Sequence, residues 1–145
     1  MRLLILHVDS FTCTITEKGR SPLVEPPTSP SLRIDAGLLV LASVERGDEA
    51  APDKVAEGTA AEIRKVADQL KADEVMLLPF AHLFAEPAPV EPARDILEAT
   101  AVSLLAAGLT VQRAPFGWFH TWDLRAKGHP LSRLARTIRP PAAED

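Results

Sequence analysis

Two histidines and a glycine-containing bend are the features of this chain whose residue types and positions could do chemistry. His82 follows the apolar run "EVMLLPF", and His120 comes three residues after Gly117 in "APFGWFHTW". An imidazole changes charge near neutral pH, so it can move a proton or bind a polar group. A histidine that ends a strand can equally be a structural cap, and Gly117 can equally be an ordinary turn glycine. Both interpretations stay open for each residue taken singly.

Most other catalytic chemistry has no support in the sequence. The four histidines lack the H-x-x-x-H spacing of a metal site, and a single cysteine excludes a C-x-x-C pair. Cys13 lies in the alternating stretch "FTCTIT", which predicts a packed, unreactive thiol. The seven glycines form neither a G-x-G-x-x-G nor a Walker loop, and no serine lies in a G-x-S-x-G elbow. We therefore predict no metal and no cofactor.

Alternation and apolar runs predict the strands that must position the candidate residues. The predicted strands are, in chain order, "RLLILHV", "FTCTIT", "AGLLVLASVE", "EVMLLPF", "LTVQR" and "WFHTWDLRA". The first two are expected to pair as a hairpin. Residues 17–35, which hold four prolines, are predicted to form a loop.

Helices are predicted between the central strands. Residues 51–73 carry apolar side chains at helical spacing, and a second helix is predicted from about Pro92 to a stop at Gly108. A short C-terminal helix is predicted in "LSRLART", and residues 140–145 resemble a linker or the cut edge of a longer protein. The strand–helix–strand order predicts parallel strands with right-handed crossovers. We thus expect one α/β domain over residues 1–139, with a mixed sheet and two crossover helices.

This arrangement would bring the candidate residues together. Ligands of parallel sheets collect beyond the carboxyl ends of the strands. The stretches "ASVE" and "LLPFAHL" end successive parallel strands, so they are expected to lie side by side. Phe80, Phe116 and Phe119 would then form apolar walls, while the bends at Pro79 and at residues 115–117 would direct backbone groups inward. The aromatic side chains could equally be plain core.

Composition and charge limit the class of function. With 145 residues, the chain fits one globular domain. No apolar run reaches the roughly 20 residues of a membrane span, which predicts a cytoplasmic protein. The net charge of −4 argues against a protein that coats nucleic acid. Residues 113–139, however, are strongly basic, which suits either a limited contact with a phosphate backbone or a solvated C-terminal helix.

Five stretches of the chain match one protein family in order and spacing. They are "MRLLILHVDSF", "LASVE", "PFAHL", "APFGWFH" and "KGHPLSRLARTI". In them the chain resembles the N-terminal editing domain of archaeal threonyl-tRNA synthetases. The resemblance implies a three-layer α/β/β fold, shared with D-aminoacyl-tRNA deacylases, and a homodimer.

The activity that the resemblance implies is proofreading. The ester of seryl-tRNA(Thr) would be hydrolysed and threonyl-tRNA(Thr) spared. Serine and threonine differ by one methyl, and a missing methylene changes binding by only about 1–3 kcal/mol, so a second, smaller site must reject the wrong product. The implied partners are the 3′ aminoacylated end of tRNA(Thr) and the remainder of a threonyl-tRNA synthetase, in cis or in trans. No membrane partner is implied.

The resemblance also implies a set of site residues. They are Val44, Glu45, Pro79, Phe80, Ala81, His82, Pro115, Phe116, Gly117, Phe119, His120 and Arg133. Val44 would lie on the strand that receives the terminal adenosine, and residues 79–82 would line the aminoacyl pocket. His82, His120 and the backbone of Phe116 and Gly117 would lie at the reacting ester.

Two residues depart from the family's pattern. His120 stands where a lysine is common, and Arg133 stands where a glutamate is common. In the family, the 2′-hydroxyl of the last nucleotide is thought to position the attacking water, and backbone groups are thought to supply most of the remaining stabilisation. His120 could then act as a base or merely hold the ribose.

Three functions therefore stay open. The first is an editing hydrolase. The second is a non-catalytic tRNA-binding appendage of a synthetase, which the substitutions at positions 120 and 133 would favour. The third is a D-aminoacyl-tRNA deacylase with the same fold.

Overall fold

The computed structural model describes residues 1–81, 85–140 and 142. Its elements are β1 (Arg2–Lys18), β2 (Ser31–Asp35), β3 (Leu38–Ser43), α1 (Pro52–Leu70), β4 (Glu74–Pro79), α2 (Val90–Ala106), β5 (Thr110–Arg113), β6 (Trp118–Ala126) and β7 (Arg133–Thr137). A short 3-10 turn over Asp48–Ala50 precedes α1. Neither α-helix has the length and apolar character needed to cross a membrane.

The first strand, β1, is continuous and belongs to two sheets. Its first half pairs antiparallel with β3 and β7, and its second half pairs antiparallel with β2 and β6. The predicted hairpin of "RLLILHV" with "FTCTIT" is therefore wrong. The polar pair Asp9-Ser10 resembles a turn, but it has no glycine or proline. An irregularity in the pairing with β6 between Val8 and Ser10 accommodates it instead.

Strands β3, β4 and β5 form the parallel part of the first sheet, as the strand–helix order predicts. Residues 38–42 of β3 pair with β4, and β4 pairs in turn with β5. The crossovers are α1 and α2. Both pack on one face of this sheet, where Val40, Ile63, Leu77 and Leu97 belong to a single buried cluster. The central strand β3 is buried along its whole length, which explains its unbroken apolar run.

The second sheet covers the other face of the first and completes three layers. Phe11, Cys13 and Ile34 from β1 and β2 form a second buried cluster with Leu41 and Met76 of the first sheet. The predicted three-layer α/β/β arrangement is thereby confirmed. Burial raises the pKa of the Cys13 thiol, as expected of a packed cysteine.

Residues 133–137 form an edge strand, so the predicted C-terminal helix in "LSRLART" is wrong. This strand, β7, pairs with β1 from Arg2↔Thr137 to Leu6↔Arg133. Leu134 and Arg136 are half-buried while their neighbours are exposed. Five residues are too few for their pattern to separate a period of 2 from one of 3.6. The open edge of β1 therefore decides the conformation.

Two boundary predictions also change. The sequence predicts a loop throughout residues 17–35, but Leu32 and Ile34 alternate with polar neighbours in β2, which pairs with β1. The loop proper thus covers residues 19–30, and we name it the 19–30 loop. Of the predicted linker over residues 140–145, only Pro140 and Ala142 lie within the described residues.

Candidate functional site

A cavity of about 360 Å³ opens where β3 and β4 end. Ala42 and Val44 line it at the end of β3, and Ala93 and Leu97 line it from the first turns of α2. The remaining walls come from the end of β4, the bend at residues 115–117 and the 19–30 loop. This volume is typical of a small-molecule site, and the walls are largely apolar, as such sites usually are.

Eight of the residues predicted for the site line this cavity. They are Val44, Pro79, Phe80, Ala81, Pro115, Phe116, Gly117 and His120. The ends of two parallel strands and the bend before β6 meet here, which is the juxtaposition that the parallel pairing predicts. His82 lies outside the described residues.

Three other predicted residues do not line the cavity. Phe119 is 59% exposed, because side chains alternate along β6 and its neighbours Trp118 and His120 take the cavity side. Glu45 accepts a hydrogen bond from Arg2 at 3.0 Å in a second cavity. Arg133 is an exposed residue of β7.

The 19–30 loop contributes a wall that sequence analysis missed. Ser21 and Pro22 line the cavity. Behind them, the carboxylate of Glu25 accepts two hydrogen bonds from the Arg113 guanidinium, at 2.7 and 2.8 Å. Bonding to Arg113 lowers the pKa of Glu25, and bonding to Glu25 raises the pKa of Arg113, so this pair stays ionised at neutral pH. No local pattern signals a partnership between residues so far apart in the chain.

The backbone of the bend is mostly engaged by the 19–30 loop. The Phe116 N–H donates to the Glu25 carboxylate at 2.9 Å, and the Phe116 carbonyl accepts from the Glu25 N–H at 3.0 Å. The Gly117 carbonyl accepts from the Gly19 N–H at 2.8 Å. Within the described residues, the Gly117 N–H has no acceptor. Of the two residues predicted to present backbone groups to an ester, only Gly117 thus has a donor to spare.

His120 is held in one hydrogen-bonding state by its neighbour on the same side of β6. The Trp122 indole N–H lies 2.7 Å from His120 Nδ1, and the two rings stack with centroids 6.0 Å apart. Because an indole N–H can only donate, Nδ1 must accept. A neutral His120 therefore carries its proton on Nε2. Burial lowers the pKa of His120, which favours this neutral form. The side chain is thus set up as a donor and not as a base.

Trp122→Phe should release this constraint while keeping a ring against His120. Without the indole N–H, Nδ1 becomes free to bind a proton, so we expect a mixture of tautomers and a higher pKa for His120. Nitrogen-15 NMR of the labelled imidazole measures both quantities. Trp118→Phe is the matched control, since Trp118 also lines the cavity but donates its indole N–H to the Glu25 carbonyl at 2.7 Å. Equal spectra for the two variants would contradict the assignment.

The basic segment over residues 113–139 is largely neutralised by ion pairs. The pairs are Arg113 with Glu25 and Glu98, Arg125 and Lys127 with Asp9, and Arg136 with Glu62. In the described part of the chain, Arg133 and Arg139 make no ion pair. The predicted contact with a phosphate backbone therefore has fewer free charges than the sequence indicated.

The described residues also contain no group of three or more His, Cys, Asp or Glu placed to bind a metal ion.

A comparison with protein families bears directly on this cavity. The family described as the archaea-specific editing domain of threonyl-tRNA synthetase matches residues 1–138. The chain belongs to this family. A synthetase editing domain is a deacylase, which hydrolyses the ester between an amino acid and tRNA. The cavity of this editing domain is therefore the candidate site for that hydrolysis.

Curated relatives of the editing domain are archaeal threonine–tRNA ligases. The ligase of Methanopyrus kandleri is 40% identical over 145 residues, which are 100% of this chain and 23% of the ligase. That of Thermococcus kodakarensis is 39% identical over 144 residues, covering 99% of this chain and 23% of the ligase. The chain thus spans about a quarter of the length of the relatives it matches.

One solved structure supports the fold of the editing domain. A protein named c-Myc DNA Unwinding Element Binding Protein superimposes with a TM-score of 0.68, and the alignment covers 97% of this chain and 100% of that one. The two sequences are 13% identical. At this identity, the likeness shows the fold alone.

Proposed function

We propose that this editing domain hydrolyses the ester of seryl-tRNA(Thr) and spares threonyl-tRNA(Thr). The observation that carries the proposal is an apolar cavity whose lining includes Gly117, a residue whose backbone N–H has no acceptor among the described residues. Cleavage of an aminoacyl ester requires a pocket for the amino acid and a donor for the oxyanion that develops on its carbonyl. Membership of the editing-domain family supports the same conclusion.

Selection between the two amino acids is proposed to be steric. Val44, Pro79 and Ala81 line the cavity with short or rigid side chains at the ends of β3 and β4. Side chains at the ends of strands that pack against a buried core can move only a little, so an added methyl group meets steric repulsion. Serine fits such a pocket, whereas threonine carries one methyl too many. The synthetic site and this site would together form a double sieve.

The proposed reaction uses only water and the ribose of the substrate. The 2′-hydroxyl of the terminal adenosine orients a water molecule, whose oxygen attacks the carbonyl carbon of the ester. The Gly117 N–H donates to the oxyanion of the tetrahedral intermediate. The bond from this carbon to the ribose 3′-oxygen then breaks, and that oxygen takes the proton released by water. The products are serine and tRNA with a free 3′-hydroxyl.

His120 is proposed to donate from Nε2 to the ribose and not to accept a proton. Its Nδ1 is already occupied by the Trp122 indole N–H. In the described residues, Nε2 has no partner and remains for the substrate. A donor is also what the lysine common in this family would supply, so the change to His120 preserves that capacity.

A panel of aminoacyl-tRNAs tests this function. The domain is incubated with seryl-tRNA(Thr), threonyl-tRNA(Thr) and a D-aminoacyl-tRNA, and loss of each ester is compared with loss in buffer. We expect seryl ester to disappear about 10–200-fold faster than threonyl ester, the range available to one methyl group. No acceleration of any ester would identify a non-catalytic tRNA-binding appendage. A preference for the D-ester would identify a D-aminoacyl-tRNA deacylase.

The proposed partners are the 3′ aminoacylated end of tRNA(Thr) and the remainder of a threonyl-tRNA synthetase, in cis or in trans. The homodimer implied by the resemblance stays a prediction, which sedimentation equilibrium tests. Phe119, which is exposed on the face of β6 that points away from the cavity, is a large apolar side chain at which such a contact is expected.

A further inference from the structure

The carboxylate of Glu25 accepts hydrogen bonds from two different groups, a guanidinium and a backbone N–H. Oε1 accepts from Arg113 at 2.7 Å and also from the backbone N–H of Phe116 at 2.9 Å, while Oε2 accepts from Arg113 at 2.8 Å. The side chains of Glu25 and Arg113 are 19% and 14% exposed, so water competes only weakly for these bonds. Bidentate pairs between a guanidinium and a carboxylate fix direction as well as distance. The carboxylate is therefore a rigid acceptor aimed at one peptide group of the bend.

The other side of this pair is also fixed. Arg113 ends β5 and donates from Nε to Glu98 on α2 at 3.1 Å. Its guanidinium carbon lies 5.6 Å from the centre of the Phe116 ring. Glu25 is thus held by a residue of β5, although Glu25 itself lies in an irregular loop.

Glu25 binds both peptide units that meet at Phe116. Its carboxylate accepts from the Phe116 N–H, which belongs to the Pro115–Phe116 peptide, and its backbone N–H donates to the Phe116 carbonyl. Its own carbonyl accepts from the Trp118 indole N–H. The carbonyl of Phe116 and the N–H of Gly117 belong to the same planar peptide unit. Fixing that carbonyl on Glu25 therefore also fixes the opposite direction of the Gly117 N–H.

We propose that Glu25 is a positioning residue for the editing reaction. Its carboxylate fixes the Pro115–Phe116 peptide and, through Arg113, keeps the Glu25 backbone N–H on the Phe116 carbonyl, so that the Gly117 N–H meets the developing oxyanion. This inference rests on the proposed deacylase function. It adds that the 19–30 loop, which bears no group of the reaction itself, sets the rate of the chemical step. A donor that is oriented before the reaction needs no reorganisation during it, which is the source of its effect.

The test compares Glu25→Ala and Glu25→Gln with Glu98→Gln. The control removes a carboxylate from the same guanidinium, but Glu98 is exposed and does not line the cavity. We expect Glu25→Ala to lower kcat for seryl-tRNA(Thr) by about 10²-fold, as for the loss of one oxyanion donor, with little change in KM. Glu25→Gln keeps an oxygen for the Phe116 N–H and should lose about fivefold, since one neutral hydrogen bond contributes about 1 kcal/mol. Glu98→Gln should keep the kcat of the unmodified chain.

Two readouts separate this inference from the proposed function. Amide hydrogen exchange at Phe116 is measured without any substrate and should accelerate in Glu25→Ala alone. If the unmodified chain cleaves no ester, the proposed function fails, while the exchange data still report whether Glu25 holds the peptide.

Three outcomes would overturn the positioning role. The first is an unchanged kcat in Glu25→Ala despite rapid exchange at Phe116, and the second is unchanged exchange. The third is an equal loss of kcat in Glu25→Ala and Glu98→Gln, which would reduce Glu25 to a partner of Arg113. If the alanine variant does not fold, Glu25→Gln decides by the same two readouts: a kcat equal to that of Glu98→Gln would overturn the role.

Discussion

Gly117→Ala should lower deacylation of seryl-tRNA(Thr) by about 10²–10³-fold, the usual consequence of losing an oxyanion donor. Gly117 has φ of 92°, where an L side chain is strained. A methyl group there would also approach the Leu23 carbonyl oxygen to 2.7 Å and Val24 Cα to 2.9 Å. Since both contacts are backbone atoms of the 19–30 loop, either the loop or the bend must move. The free energy of unfolding should fall by about 3 kcal/mol, from strain and overpacking together.

Gly108→Ala is the matched control for this variant. Gly108 has the same φ of 92°, but a methyl group added there meets no atom within 4 Å. Its substitution should cost about 1 kcal/mol of stability from backbone strain and leave activity unchanged. Single-turnover deacylation and thermal unfolding, measured on both variants, separate strain from displacement of the loop. Comparable activity of the two variants would show that the Gly117 bend takes no part in the reaction.

Replacing the terminal adenosine by 2′-deoxyadenosine should slow hydrolysis of the seryl ester by at least about 10²-fold. In the proposed mechanism, the 2′-hydroxyl orients the attacking water. Within the described residues, the only ionisable side chain of the cavity is His120, whose Nδ1 is occupied. The ester loss is followed in a single turnover, with the matched ribose substrate as the reference.

His120→Ala provides the comparison for the protein side of the site. If His120 only donates to the ribose, its loss should cost about tenfold, as for one hydrogen bond. A larger loss in His120→Ala than with the deoxy substrate would make His120 the base. Full activity on the deoxy substrate would refute assistance by the substrate, whatever His120 does.

The parallel core and the location of the cavity were predictable from the sequence. Three of the signals come from properties of single residues. The apolar run of β3 and the helical spacing of α1 reflect hydrophobicity, and the stop at Gly108 reflects the backbone freedom of glycine. Once β3 and β4 are parallel, their carboxyl ends must lie side by side. Val44, Pro79 and Ala81 therefore reach one cavity as expected.

Strands that depend on distant edges were not predictable in the same way. The stretch "RLART" becomes β7 because β1 offers an unpaired edge, and β1 stays continuous because β2 and β6 pair with its second half. Whether a segment pairs with the edge of a strand depends on both segments, whereas hydrophobic periodicity is read within one segment alone. A short amphipathic stretch is consistent with either conformation until the neighbouring strand is in place.

The residue patterns were enough to predict the parallel core and the end of the sheet at which a ligand would bind, and the family resemblance implied the three layers. Which polar groups face that ligand depends on contacts between segments that are distant in the chain. Glu25 and Phe116 are 91 residues apart in the chain, yet their bond holds the bend, whose Gly117 N–H has no acceptor in the part of the chain that the structure describes. Hydrophobicity, which predicts burial, is a property of each side chain, whereas a hydrogen bond requires two groups that folding brings together.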